Sequence, residues 1–424
     1  MQPNVRPGLL RNLSVPETTL LGLQWFAIGA CLIVVLGNVC SRIHGLTPEA
    51  RGDYILLLFS VTGLALALQV RFGHRLPILC GPAAVMVVGV TLTSKAGMPA
   101  VYTGVMVGGL ALAAAAALGW VGHFRKLFNL NVIAVVLLLI GVLLSPTIWR
   151  LANSNHGTVN AAGVTFFAAM LGLMFVGNRF LPGALKTTMV VWFLILGALT
   201  YQWLPMPPEA TNSGGAAAAL EGALSHFSWD WSVVVTFLFC YLALLANDVG
   251  AVQTVEPLLH PRGMEKRTGR AALLTGLADA TSAALGVIGP VNYALSPGVI
   301  LTSNSASVVP LYVAAALLLA TPWIPGALPV LAAIPAPVVG AILAYVVVAQ
   351  MGFGVLLATR QGCGGRRWTS LVLRLGVPVI LGGAVAFMPA DFSQAVPTWL
   401  QPLLGNGFVV GTGVSVTIEK LLDA

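Results

Sequence analysis

Two acids, Asp248 and Asp279, lie inside long apolar runs. A carboxylate within a membrane span costs about 2.5–3.5 kcal/mol on the insertion scale, so such acids are seldom idle. Asp248 is the natural candidate for ion coupling, either carrying a proton or, ionised, helping to hold sodium. Beside it stands Asn247, and further on Asn292. Each amide offers a donor and an acceptor, which suits an amide-bearing ligand. Asp279 stands in Gly276-Leu277-Ala278-Asp279-Ala280-Thr281-Ser282, where small neighbours favour close helix packing. The expectation there is a structural acid, bonded to backbone and bracing the segment that follows. Trp25 and Tyr293 present flat rings able to stack on a planar ligand, although aromatics in membrane helices more often serve the core or the interface. The six histidines (His44, His74, His123, His156, His226, His260) all read as loop residues, and the five cysteines show no paired spacing. That pattern argues against haem, di-metal, zinc or disulfide chemistry, and no cofactor is expected beyond a coupling ion, H+ or Na+.

The elements that must hold these residues are membrane spans. Charged residues make up 8 % of the 424-residue chain, against about 25 % in a soluble domain. Hydrophobic residues make up 58 %, and the mean hydropathy is +0.92. So few charges cannot cover a water-facing surface, which excludes a soluble protein. Reading breaks at charge, Pro and Gly clusters gives about fourteen spans of the length a bilayer requires. Their approximate limits are 19–39, 54–70, 76–93, 100–121, 128–145, 161–177, 187–204, 231–252, 271–288, 290–304, 308–324, 330–357, 374–388 and 400–418. The first apolar run starts only after residue 17, unlike a removable signal peptide. With the N-terminus inside, 17 of the 21 Lys and Arg fall in cytoplasmic segments; only Arg42, Arg51, Lys95 and Arg150 fall outside. By the positive-inside rule both termini are cytoplasmic, in a multi-pass protein integral to the cell (plasma or inner) membrane. The net charge of +8 therefore reads as topology, with the lipid bilayer and a small-molecule substrate as partners and no nucleic acid.

The chain also matches itself. Residues 81–94 read GPAAVMVVGVTLTS and residues 289–303 read GPVNYALSPGVILTS. Gly81-Pro82 aligns with Gly289-Pro290, and Gly89-Val90 through Thr93-Ser94 with Gly298-Val299 through Thr302-Ser303, one residue being inserted. The match places the third span opposite the tenth, seven spans apart, and an odd number of spans per half forces the halves into inverted orientation. Paired Gly/Pro-interrupted segments in inverted repeats are the sequence pointer to a secondary transporter's binding site. Irregular backbone survives at membrane depth only where it is buried in protein or lines a cavity, and two such breaks can aim half-helix N-termini at a substrate.

Four segments resemble the nucleobase–ascorbate transporter family (nucleobase–cation symporter-2; uracil and xanthine permeases). They are Gly22-Leu23-Gln24, with Trp25 where the family often has His; Ala246-Asn247-Asp248-Val249-Gly250; the stretch from Arg270 to Asn292; and Ala333-Ile334-Pro335-Ala336-Pro337-Val338-Val339-Gly340. Gly405-Asn406-Gly407…Gly411 is similar as well. The resemblance implies an all-α polytopic fold of about fourteen spans, a 7+7 inverted repeat with short extended segments in spans 3 and 10. It implies a core domain from spans 1–4 and 8–11 (residues 1–126 and 229–326) and a gate domain from spans 5–7 and 12–14 (residues 127–228 and 327–424). It further implies a homodimer, elevator-type motion and ion-coupled symport of uracil, xanthine or a related small heterocycle. Carried onto this chain, the substrate site comprises Asn247, Asn292, Val291, Tyr293, Ala84 and Trp25. Asn247 stands at the family's substrate-binding Glu, Val291 at its Gln/Glu, and Ala84 near the aromatic that can stack on a base.

Two other functions meet some of these features. A small organic or inorganic anion carrier of the same fold would tolerate a neutral Asn247 better than a Glu. An intramembrane aspartyl protease would use two carboxylates sharing a proton, but the G-x-G-D signature is absent and the repeat is left unexplained. A transporter, not an enzyme, is the expectation.

Overall fold

The computed structural model describes residues 13–153, 161–182, 185–186, 189–201, 227–327, 334–359, 372–388 and 404–423. Arg6, Arg11, His156, His226, Ala333, Arg360, Cys363, Arg366 and Arg367, together with the edges of the seventh, twelfth and fourteenth expected spans, lie outside the described residues.

The first half runs α1 (Val15–Ile43), α2 (Pro48–Arg71), β1 (Cys80–Pro82), α3 (Ala84–Thr93), α4 (Met98–Ala117), the short α5 (Val121–Arg125), α6 (Leu130–Asn153), α7 (Ala161–Phe180) and α8 (Met189–Tyr201). The second half runs α9 (Trp231–Leu259), α10 (Met264–Ala284), β2 (Pro290–Asn292), α11 (Ser296–Ser303), α12 (Val309–Ala320), α13 (Ala336–Thr359), α14 (Val377–Ala386) and α15 (Gly407–Asp423). Counting β1 with α3 and β2 with α11, and setting α5 aside as a connector, each half holds seven membrane elements in the same order. Among the described residues, seven helices, α1, α2, α4, α6, α7, α9 and α13, are long and apolar enough to cross a bilayer unaided. The rest are shorter or more polar, and several are extended by a short turn of another helix type: 3₁₀ at Ser94–Ala96 and Thr321–Trp323, and the wider π-helix at Val372–Gly376 before α14.

Local chemistry sets several of these boundaries. Thr47 caps α2 by accepting from the Ala50 N–H, with Pro48 in the first turn, where its missing donor costs nothing. Asp230 caps α9 by accepting from Ser232 and Val233 N–H. Elsewhere contact between backbones decides. A Cβ at Gly109 would lie 2.8 Å from the Gly276 carbonyl oxygen, and one at Gly276 would lie 2.5 Å from that of Gly109. Only glycines let α4 and α10 approach so closely, the small-residue packing that membrane helices use.

The packing follows the repeat. α4 lies against α10 and, in the inverted equivalent, α12 against α2; α1 packs on α12 as α9 packs on α4. A second set, α6 with α13, α14 and α15, and α7 and α8 with α13, packs largely on itself. The sets meet where α11 and α9 touch α13, α6 and α15. β1 and β2 form a two-stranded antiparallel ladder, pairing Cys80 with Asn292, Gly81 with Val291 and Pro82 with Pro290. All six residues are buried.

Candidate functional site

Two extended segments at membrane depth satisfy each other. The ladder consumes their backbone groups, and where prolines face each other, with no N–H to give, it ends. Beyond it Ala83 N–H donates to the Gly289 carbonyl at 3.0 Å and Tyr293 N–H to that of Leu79 at 2.8 Å. Ser296 Oγ accepts from Leu79 N–H at 3.0 Å and donates to the Tyr293 carbonyl at 2.7 Å. Helices α3 and α11 leave this junction, so their positive N-terminal ends converge on it.

Behind β2 lies a buried polar network. Asp248 Oδ1 accepts from Asn292 Nδ2 at 2.7 Å, from Asn292 N–H at 3.3 Å and from Thr275 Oγ1 at 3.2 Å. Thr275 accepts in turn from Gln69 Nε2 at 3.0 Å. On the other side the Cys80 thiol donates to Asn292 Oδ1 at 3.1 Å. Asp248, Thr275 and Asn292 are at most 1 % exposed. A fixed network of this kind holds the strand in one register, and it keeps Asp248 Oδ2 as a buried acceptor without a hydrogen-bond partner among the described residues.

The sequence-derived residues divide into two shells. Asn292 and Val291 are buried in β2, and Trp25 is enclosed in the core at 2 % exposure. Ala84 is exposed, while Asn247 and Tyr293 are half-buried. Ala84 opens α3 between buried Ala83 and Val85, and its accessible face continues along the helix through half-buried Val87 and Val88 to exposed Thr91. Asn247 is more telling. The lipid-facing side of α9 is marked by Leu238 and Leu242, 37 % and 47 % exposed. Asn247 lies on the opposite side, where its helical neighbours Ala243, Leu244, Gly250 and Ala251 are all buried. Its exposure therefore opens onto space inside the protein, not onto lipid. One turn away, Ala251 and Ala294 pack against Val136 of α6 and Phe408 of α15, so this opening borders the seam between the two helix sets. Tyr293 lies across the junction: its ring covers Gly81, and its hydroxyl donates to the Pro82 carbonyl at 2.9 Å, two residues from Ala84.

A separate narrow cleft lies between α1, α6, α8 and α13. Cys31 and Thr147 are its only lining side chains with a polar atom, so it lacks the convergent polar groups that orient a polar ligand.

Asp279 is fully buried and bears directly on the second break: a Cβ at Gly289 would meet its carboxylate. The expected backbone hydrogen bond is absent; instead the carboxylate faces the Tyr241 hydroxyl. Several polar groups escaped the sequence reading. Asp53 and Glu419, placed there at span edges, lie within α2 and α15 at 1 % and 4 % exposure. Glu419 pairs with Arg374 at 2.6 Å and accepts from Asn131 at 3.0 Å, joining α6, α15 and the turn before α14. At the opposite end of the molecule His44 Nε2 meets the Tyr102 hydroxyl at 3.0 Å. That hydroxyl meets Tyr54 at 3.0 Å, and Tyr54 accepts from Ile288 N–H at 3.3 Å. Burial pushes His44 down to about 4. Glu419 showed only as a charge near a span end and Tyr54 only as one tyrosine among apolar residues, so neither was separable by type or spacing.

The model of the permease family (Xan_ur_permease) matches residues 16–391. The chain belongs to this family, the nucleobase–ascorbate transporters. It is a multi-pass membrane transporter and not an enzyme. Similar proteins include the putative purine permease YwdJ of Bacillus subtilis, 26 % identical over 94 % of both chains. The uric acid permease PucK of the same organism is 23 % identical over 96 % of both. Among solved structures, the transmembrane domain of the cyanobacterial bicarbonate transporter BicA superposes with a TM-score of 0.57 at 17 % identity, covering 87 % of this chain and 96 % of that one. SLC26A9 superposes with a TM-score of 0.56 at 12 % identity, covering 96 % of this chain and 66 % of that one. These likenesses concern the fold, a 7+7 inverted repeat with spans 3 and 10 broken.

Proposed function

We propose that this permease is a secondary active transporter of a nucleobase, a purine above all, coupled to H+ or Na+. The observation that carries the reading is the placement of Ala84, Asn247 and Tyr293. They are the accessible members of the sequence-derived set, whose other members Trp25, Val291 and Asn292 are buried, and they lie near two converging half-helix ends and the seam between two helix sets. A flat heterocycle fits such a slot, with Tyr293 and small Ala84 along its plane and Asn247 at its edge. Permeases named for purine and uric acid among the relatives support this substrate class.

The set α1–α4 with α9–α12 (residues 1–126 and 229–326) acts as the core, and the set α6–α8 with α13–α15 (127–228 and 327–424) as the gate. Sliding of one against the other would expose the seam alternately to each side, in a homodimer held in the plasma membrane with both termini cytoplasmic. Asp248 couples the ion. One oxygen fixes Asn292 and hence the strand, and the other is free to take a proton or to ligate sodium, so occupancy would be felt at the substrate wall. Uptake of radiolabelled hypoxanthine, xanthine and uracil into proteoliposomes under an imposed proton or sodium gradient tests this. Accumulation against a gradient, lost in Asp248→Asn with binding kept within about threefold, is the expected result. Equilibration indifferent to both gradients would refute the coupling.

A further inference from the structure

The wall of the internal opening carries very little uncommitted polarity. The Tyr293 hydroxyl is used by the Pro82 carbonyl. Asn292 is used by Asp248 and Cys80. Val291 and Ala84 have no polar side-chain atom. Asp248 is wholly buried behind the ladder and shows the opening no carboxylate. Of these residues only Asn247 is half-exposed with an amide that makes no hydrogen bond to any described residue. It lies in the middle of the 29-residue α9, at the depth of the two broken spans.

We propose that Asn247 sets specificity by reading a donor–acceptor edge, so that the site takes aminopurines of the adenine type as well as oxopurines. An amide holds an N–H and a carbonyl oxygen in one plane. It forms two hydrogen bonds at once with a lactam edge, N–H beside C=O, or with an aminopyrimidine edge, N–H₂ beside a ring nitrogen. The second pairing is the one by which Asn and Gln recognise adenine in nucleic acids. A carboxylate at this position would only accept. It would suit an edge with two N–H donors and would set a lone pair against the adenine ring nitrogen. Adenine in its prevailing tautomer has no ring edge with two adjacent N–H donors, whereas guanine has one (N1–H with the 2-amino group) and a lactam edge besides. Adenine is therefore the ligand whose fate depends on the residue at 247, and guanine is the internal control.

The inference rests on the nucleobase reading, and the test separates the two. Binding of adenine, hypoxanthine and guanine is measured by calorimetry on the purified full chain in detergent, and repeated with Asn247→Asp and Asn247→Ala. The expected result is that the unchanged protein binds all three. Asn247→Asp then raises the Kd for adenine at least tenfold, about 1.4 kcal/mol, and shifts that for guanine less than about threefold. Asn247→Ala, which only removes atoms, weakens adenine and hypoxanthine together and narrows the differences between bases. Guanine bound by the unchanged protein without adenine would overturn the inference and leave the nucleobase reading standing, as would an equal loss of all three bases in Asn247→Asp. Failure of every base to bind the unchanged protein would overturn both.

Discussion

In the first broken span, Cys80–Pro82 leads into α3 with no acid hydrogen-bonded to it among the described residues, and the residue that opens the helix is the exposed Ala84. In the second, Pro290–Asn292 leads into α11 with Asp248 bonded to its last residue and Asp279 pressed against the glycine before it. The two strands pair residue for residue; the repeated Gly-Pro closes β1 as Gly81-Pro82 and leads into β2 as Gly289-Pro290. Most of the side chains that fix the junction, Asn292, Tyr293 and Ser296, come from the second half; the first strand adds only the Cys80 thiol. The repeat thus supplies a symmetric frame for two breaks, and the polar side chains are distributed asymmetrically within it. One break offers room and the other offers groups.

If that division is right, equivalent substitutions in the two breaks should have unequal effects. The largest difference is expected at the paired glycines. Gly289→Ala puts a Cβ against the Asp279 carboxylate and 2.7 Å from its Cα, so backbone must move; a loss of about 3 kcal/mol or more is expected, seen as failure to yield folded protein. Gly81→Ala meets instead the ring of Tyr293, which can swing away. Its cost is about 1–2 kcal/mol, with the ligand wall disturbed, so thermal unfolding should show folded protein that binds purine poorly. Equal damage from both would dissolve the comparison.

Next come the partners across the ladder. Asn292→Ala strips Asp248 of its shortest hydrogen bond and should cost about 2–3 kcal/mol, as bonds to charged groups do. Cys80→Ala removes only a weak donor and should cost about 1 kcal/mol or less. Thermal unfolding of the purified variants measures both, and reversal of that order would place the anchor in the first half.

The smallest effect concerns pH. The approach to the first break passes the buried His74, whose Nδ1 accepts from Leu76 N–H and which burial pushes down to about 3. Its folded pKa lies below its ordinary value, so as pH falls from about 6.5 toward 3 the unfolded chain takes up a proton that the folded chain refuses. Stability contributed by neutral His74 is fully present above about pH 6.5 and is lost across that window. The midpoint of thermal unfolding should drop between pH 7 and pH 5, and drop less in His74→Gln. No histidine occupies the equivalent approach to β2, so an unchanged slope in that variant would remove this difference between the breaks.

Much of the frame was legible in the sequence because membrane spans obey one-dimensional rules. Lengths of apolar runs gave the spans, and the repeated Gly-Pro located the two segments that pair as β1 and β2. The polar groups that gather at the breaks were legible by residue type at Asn292, Asp248 and Tyr293, since polar groups within apolar runs stand out. What stayed hidden depends on contacts between distant segments. Thr275 and Gln69 join the Asp248 network from α10 and α2, and Ser296 stitches the two breaks together. Nothing in the spacing of a lone Thr, Gln or Ser marks it for that use. The division of Asn247 from Asn292, one facing the opening and the other fixing the strand, likewise rests on which side of the ladder each falls, which needs three dimensions.

The central claim is that the opening bounded by Ala84, Asn247 and Tyr293 holds the substrate. Ala84 is exposed, so a larger side chain there should fill the opening without straining the fold. Equilibrium binding of hypoxanthine, xanthine and uracil to Ala84→Leu, beside its thermal stability, tests the claim directly. The account predicts an unfolding midpoint within about 2 °C of the unchanged protein, a stability change of under about 1 kcal/mol, and at least a tenfold loss of affinity for whichever base the unchanged protein binds. Full affinity in a stable Ala84→Leu would place the substrate elsewhere.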